Sequence, residues 1–147
     1  MRVWWRGLVL LLIWAAVGCN GPILVLPGGQ LEGEVSPTPK NWSSTENQTV
    51  QLETRPGDPY SVNIVCTVID GSLYIYAGDT ETQWVKNIEV NPAVRLRMKG
   101  VLYDLRAERV MDPAEISRFG QAWMSQSFFR RDPTEPDRVW LYSLVSR

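Results

Sequence analysis

The chain has 147 residues, 44% of them hydrophobic, with a formal charge of −1 and no histidine. That length supports one domain with a real core. The charge lacks the basic footprint of a nucleic-acid binder, so no nucleic-acid partner is expected; without histidine, Ser-His-Asp triads and the usual zinc sets are excluded, and no metal is expected.

Arg2 and Arg6 flank the start of an apolar run, Gly7 to Val17. The run is about half the roughly 20 residues that a membrane-spanning helix needs. Its length and flanks fit a cleaved signal. Ala16-Val17-Gly18-Cys19 follows, and this stretch resembles the bacterial lipobox. The resemblance implies diacylglycerol on the Cys19 sulfur, cleavage after Gly18 and acylation of the new amino terminus. Several acyl chains bury enough methylene groups for stable anchoring. Residues 1–18 therefore read as a lipoprotein signal peptide, and the mature chain is expected at the cell membrane or outer membrane, facing outside the cytoplasm. Residues 19–30, with two prolines and the pair Gly28-Gly29, read as a lipidated tether. The folded domain is expected over 31–147. With Cys19 lipidated, Cys66 has no disulfide partner. Its apolar setting, NIVCTVI, reads as that of a buried, inert thiol.

Strand signals begin after the tether. Leu31–Val35 and Thr49–Glu53 are short candidates. Residues 60–69, YSVNIVCTVI, are rich in β-branched and aromatic residues. Asp70-Gly71 marks a tight hairpin turn into SLYIYAG. Residues 94–98 alternate apolar and basic side chains, as a half-exposed strand does. Lys99-Gly100 turns them into a long strand over 101–110, in which Asp104 and Arg106 read as one solvated face. Residues 138–145 supply the last strand.

Two helices are expected among these strands. The first covers about 80–91, capped by Asp79 or Thr80 and ended by Pro92. The second starts at Asp112-Pro113, with Glu115 placed for a capping box and Ile116, Phe119 and Trp123 as its apolar stripe. The order of strands and helices predicts an α+β domain, a small antiparallel split β-barrel with two connecting helices.

The segment WVKNIEVNPAVRLRMKG, residues 84–100, resembles the FMN-binding split-barrel superfamily, which includes the pyridoxamine-phosphate oxidases. Within it, the likeness is nearer to the deazaflavin-dependent nitroreductases. The matching residues are Trp84, Asn87, Ile88, Asn91, Pro92, Val94 and Gly100. The resemblance implies FMN or a deazaflavin as cofactor, a groove formed by Arg55, Ser61, Asn63, Trp84 and Asn87, and a homodimer with the cofactor between subunits. No catalytic residue is assigned. In the oxidases a basic residue stands near the position of Trp84. In the deazaflavin family a turn rich in glycine and cations precedes the long strand. Here that turn, residues 54–61, has Arg55 as its one cation, opposed by Asp58. Lys86, two positions after Trp84, faces another side of the helix.

Two functions fit these residues. The first is a membrane-anchored envelope lipoprotein whose split barrel binds a small ligand or a protein partner without catalysis. The second is a flavin- or deazaflavin-dependent oxidoreductase, in which the cofactor performs the chemistry and the missing histidine is no obstacle. Phe128 and Phe129 beside Arg130 and Arg131 form a candidate contact patch for a partner.

Overall fold

The structure is a computed structural model and describes residues 20–125 and 140–147. The signal segment, Cys19 and the Phe128–Arg131 patch lie outside the described residues. Seven strands and two helices follow in chain order: β1 (Glu34–Val35), β2 (Gln48–Thr54), β3 (Tyr60–Ile69), β4 (Ser72–Ala77), α1 (Gln83–Val90), β5 (Ala93–Met98), β6 (Val101–Arg109), α2 (Pro113–Met124) and β7 (Trp140–Ser146). The sheet runs β6-β5-β2-β3-β4-β7, and pairing of β7 with β6 closes it. The domain is α+β, a closed antiparallel barrel of six strands with two helices. The two-residue β1 adds a parallel pairing on β6.

Both tight hairpins follow from local chemistry. Asp70 and Gly71 have φ of 49° and 79°, and Lys99 and Gly100 have 50° and 82°. Two successive positive φ values make the mirror-image turn that suits strand twist. Ile69 consequently faces Ser72, and Met98 faces Val101.

The helix ends are less direct. α1 starts at Gln83, later than the sequence suggests. The reason is Asp79, whose carboxylate accepts the Glu81 amide at 2.9 Å. That local turn competes with helix for the same backbone donor. At the other end, Asn91 Oδ1 accepts the Ala93 amide at 3.0 Å, bridging Pro92. The Asn-Pro pair thus stops the helix and aims β5. Asp112 caps α2 by accepting the Ala114 amide at 3.1 Å. Glu115 accepts a hydrogen bond from the Tyr74 hydroxyl at 2.7 Å, which ties α2 to β4.

Side-chain alternation sorts the barrel into two layers. Leu52, Cys66, Leu73, Ile75, Leu96 and Leu105 point inward and are fully buried. Trp84, Val85 and Ile88 of α1 pack on this interior. Burial pushes the Cys66 thiol up, although backbone hydrogen bonds pull the other way, so it stays protonated within the core. On the outer side of β4 and β7, Tyr74 and Leu141 meet Phe119 and Trp123 of α2.

Candidate functional site

The outer face of β3, β2, β5 and β6 is built differently. Directly opposed residues share a face. Glu53 on β2 opposes both Ser61 on β3 and Arg95 on β5, and Arg95 opposes Asp104 on β6. A polar row therefore crosses four strands. Gln51 and Arg97 stand beside it, with Arg97 donating to Gln51 Oε1 at 2.9 Å.

Part of this row is buried under the chain's own amino-terminal segment. Residues 20–30 do not hang free. Gly28 exchanges two backbone hydrogen bonds with Ser61, at 2.9 and 2.8 Å. Asn63 Nδ2 donates to the carbonyls of Pro22 at 3.3 Å and Leu24 at 3.0 Å. Glu53 Oε2 accepts the Leu31 amide at 2.5 Å. Leu31, Glu53 and Ser61 end up 2%, 6% and 0% exposed. The Ser61 hydroxyl is buried there with no hydrogen-bond partner among the described residues. A carboxyl group this buried needs hydrogen-bond partners, and the Leu31 amide is one.

Beyond Glu53 the row opens. A cavity of about 150 Å³ is lined by Gln30, Glu53, Pro56, Pro59, Arg95 and Arg147, among others. Asp104 Oδ1 is shared by Arg95 Nε at 3.0 Å and Arg147 at 2.8 Å. Burial pushes the Asp104 carboxyl up, but hydrogen bonds and charge from both arginines outweigh it and hold it below the usual carboxylate range. The cavity is thus lined by a carboxyl group, two guanidinium groups and an amide, besides apolar atoms. Asp104 pairs with these two residues, whereas Arg106 pairs with Glu108, so the expected Asp104–Arg106 face divides into two clusters.

The five residues named from the resemblance occupy three places. Arg55 lies in the β2–β3 turn with φ of 59°. Its guanidinium folds back on that turn, donating to the Asp58 carbonyl at 2.6 Å and pairing with the Asp58 carboxylate at 3.1 Å. Asn87 supports the same turn from α1. Its Nδ2 donates to Thr54 Oγ1 at 2.9 Å, and its Oδ1 accepts from Gln83 at 2.8 Å. Thr54 Oγ1 donates in turn to the Tyr60 carbonyl at 3.2 Å. Ser61 and Asn63 lie on the outer face of β3, beneath residues 20–30. Trp84 is inside the barrel, with its ring edge-on to Tyr142 at 6.2 Å. Lys86 pairs with Glu81 at 3.2 Å, away from the turn. The residues that do line a cavity, Glu53, Arg95 and Arg147, are missed by local patterns because they meet only through strand register. The one available signal was the alternation of charged with apolar residues in β2 and β5.

No protein-family model matches this chain, and no curated protein does. Solved structures do. A putative pyridoxamine 5′-phosphate oxidase from Listeria innocua aligns with a TM-score of 0.53 at 16% identity, over 67% of this chain and 82% of its own. The fold is a split barrel. An FAD-binding protein from Mesorhizobium loti aligns at 0.51 and 17%, over 70% of this chain and 83% of its own. A protein described as an F420 reductase also aligns at 0.51 and 17%, over 75% and 96%. At such identities the likeness is one of fold. Among the described residues of this split barrel, no helix is long and apolar enough to cross a membrane.

Proposed function

We propose that this chain is a lipoprotein, held at the cell membrane or outer membrane by lipid on Cys19, whose split barrel binds a small ligand or an envelope protein partner without catalysis. One observation carries the non-catalytic part. The Ser61 backbone and the Asn63 side chain are already engaged by residues 20–30 of the same chain, which bury the Ser61 hydroxyl. The other polar candidates are engaged too: Arg55 is neutralised by Asp58, and Asn87 uses both ends of its amide. A phosphate site needs several free donors and net positive charge. This engagement argues against a flavin or deazaflavin phosphate at these residues. The cavity beside Glu53 measures about 150 Å³, below the roughly 300–1,000 Å³ of sites for larger organic ligands. It suits a compact polar guest.

The test is a titration of residues 20–147 with FMN and, separately, with the deazaflavin cofactor, followed by cofactor and tryptophan fluorescence. The expected result is no saturable binding up to about 1 mM of either cofactor. Saturable binding at roughly micromolar levels, lost on Asn63→Ala, would overturn the non-catalytic reading. The anchor is tested separately: metabolic labelling with a fatty-acid analogue should label the chain, and Cys19→Ala should lose both the label and the membrane fraction.

The oxidoreductase reading keeps one specific support. The Ser61 hydroxyl is buried with no hydrogen-bond partner among the described residues, which is costly unless something else uses that position. If residues 20–30 lift away, Ser61 and Asn63 become an open polar face. Proteins of similar fold, an FAD-binding protein and an F420 reductase among them, agree with that reading at the level of fold. It also carries the homodimer that the resemblance implies.

A further inference from the structure

Ile23, Leu24, Val25 and Leu26 form a small hairpin tip, closed by two backbone hydrogen bonds between Ile23 and Leu26 at 3.1 and 2.8 Å. Their side chains are 58%, 83%, 94% and 64% exposed. Four successive exposed aliphatic residues on a folded loop call for a covering surface. No charge interrupts them: Asn20 to Leu31 contains no Asp, Glu, Lys or Arg.

Hydrogen bonds and close packing seat the loop on the barrel. Asn63 clamps the carbonyls of Pro22 and Leu24, and the Gly29 amide donates to the Asn20 carbonyl at 2.6 Å. Gly28 lies so close to the chain entering the loop that a Cβ there would overlap Asn20 O and the Gly21–Pro22 bond. Asn20 is thus pinned at the base of the loop, and Cys19 is the residue before it. From Cys19 to Ile23 the chain reaches at most about 14 Å. No slack tether separates the expected lipid from the barrel.

We infer that the Ile23–Leu26 tip docks into the lipid bilayer beside the acylated Cys19, so that the barrel sits flush on the membrane with the outer face of β3 turned towards it. The inference rests on the lipoprotein reading above. An apolar element of this kind settles at the boundary of headgroups and acyl chains. Val65, 37% exposed and two residues along the same face of β3 as Asn63, extends the apolar surface. The occupant is a bilayer because the same short stretch of chain that carries the loop also carries the anchor. Docking would leave the Arg95–Asp104–Arg147 cluster as polar material at the edge of that face.

The test uses the mature acylated chain in vesicles of phosphatidylethanolamine and phosphatidylglycerol. Val25→Cys is labelled with a polarity-sensitive fluorophore. Cys66 is fully buried, and acylation blocks the Cys19 sulfur. Gln121→Cys on the exposed side of α2 is the control. We expect a blue shift at position 25 and strong quenching by lipid-borne quenchers, with neither at 121. Adding Leu24→Asn and Leu26→Asn should return the probe at 25 to its aqueous emission while the melting temperature holds. An acylated chain whose probe at 25 reports water would overturn the docking alone. A mass spectrum without acyl groups would overturn the lipoprotein reading and the docking with it. A blue shift that persists in detergent, with a sedimenting dimer, would assign the tip to a second copy of the chain and overturn the bilayer.

Discussion

Two outer faces of one barrel are covered by two kinds of contact. On β4 and β7 the cover is α2, and the contact is aromatic. Phe119 lies 5.6 Å from Tyr74, and Trp123 lies 4.9 Å from Tyr76, between ring centroids. On β3 and β2 the cover is the segment 20–31, and the contact is made by backbone and polar side chains: Gly28 with Ser61, Leu31 with Glu53, and Pro22 and Leu24 with Asn63. The first kind of cover gains from apolar area and depends little on exact alignment. The second gains little net free energy per bond but leaves costly orphans when broken. A face closed by aromatic packing is committed to holding the fold. A face closed by a few hydrogen bonds is one that a ligand, a membrane or a partner competes for on nearly equal terms. That contrast makes the β3 side the face to test for a ligand or partner.

The contrast is open to attack, and the largest effect should come from the apolar face. Phe119→Ala removes a side chain that is 1% exposed and should cost about 3–5 kcal/mol, read as a lower denaturant midpoint. It should leave protease cleavage within residues 20–31 unchanged. Glu53→Ala orphans the Leu31 amide and should cost roughly 1–3 kcal/mol. Here the signature is local, with cleavage within residues 20–31 accelerated before global unfolding. A midpoint change without that acceleration would mean the segment is not held by Glu53.

Two titrations sharpen the comparison further. Burial, together with the hydrogen bond to Glu115, pushes Tyr74 up to about 12 from an ordinary value of 10.0. A raised folded value favours the neutral phenol. The stability it brings is therefore complete below pH 10 and is lost as pH rises towards 12. Tyr74→Phe should abolish this alkaline component and cost about 1 kcal/mol at neutral pH, measured by thermal melts across that range. Asp104 runs in the opposite sense. Its depressed folded value adds stability above its ordinary value of 3.8, and that stability fades as pH falls below it. Asp104→Asn should flatten the acid limb slightly, the smallest effect of the four, because both Asp104 and Arg95 are more than a quarter exposed.

Much of the fold was legible because its signals are local. Asp70-Gly71 and Lys99-Gly100 sit where two positive φ values are needed. Asp112-Pro113 caps α2 within three residues. Strand alternation separates the inward Val94 and Leu96 from the outward Arg95 and Arg97. The start of α1 was misplaced because Asp79 uses its carboxylate for a turn before the helix. The site was far less legible. Glu53, Arg95 and Asp104 come from three strands and meet only once the register is set. Residues 20–30 look like a tether by composition, with prolines and glycines, but Gly28 allows close packing against neighbouring backbone. The residues suggested by resemblance fell in several places, because Trp84 and Asn87 serve the core and a turn here.

Residues 20–31 close the β3 face, and this closure is open to direct measurement. Amide hydrogen exchange of the mature chain tests it most directly, read at Gly28, Leu31 and Ser61. Slow exchange is predicted at all three amides, with Leu31 turning fast in Glu53→Ala while Leu52 in the core stays protected. Fast exchange at Gly28 and Leu31 in the unaltered chain would contradict the closure, and would leave Ser61 and Asn63 as an open face available to a cofactor.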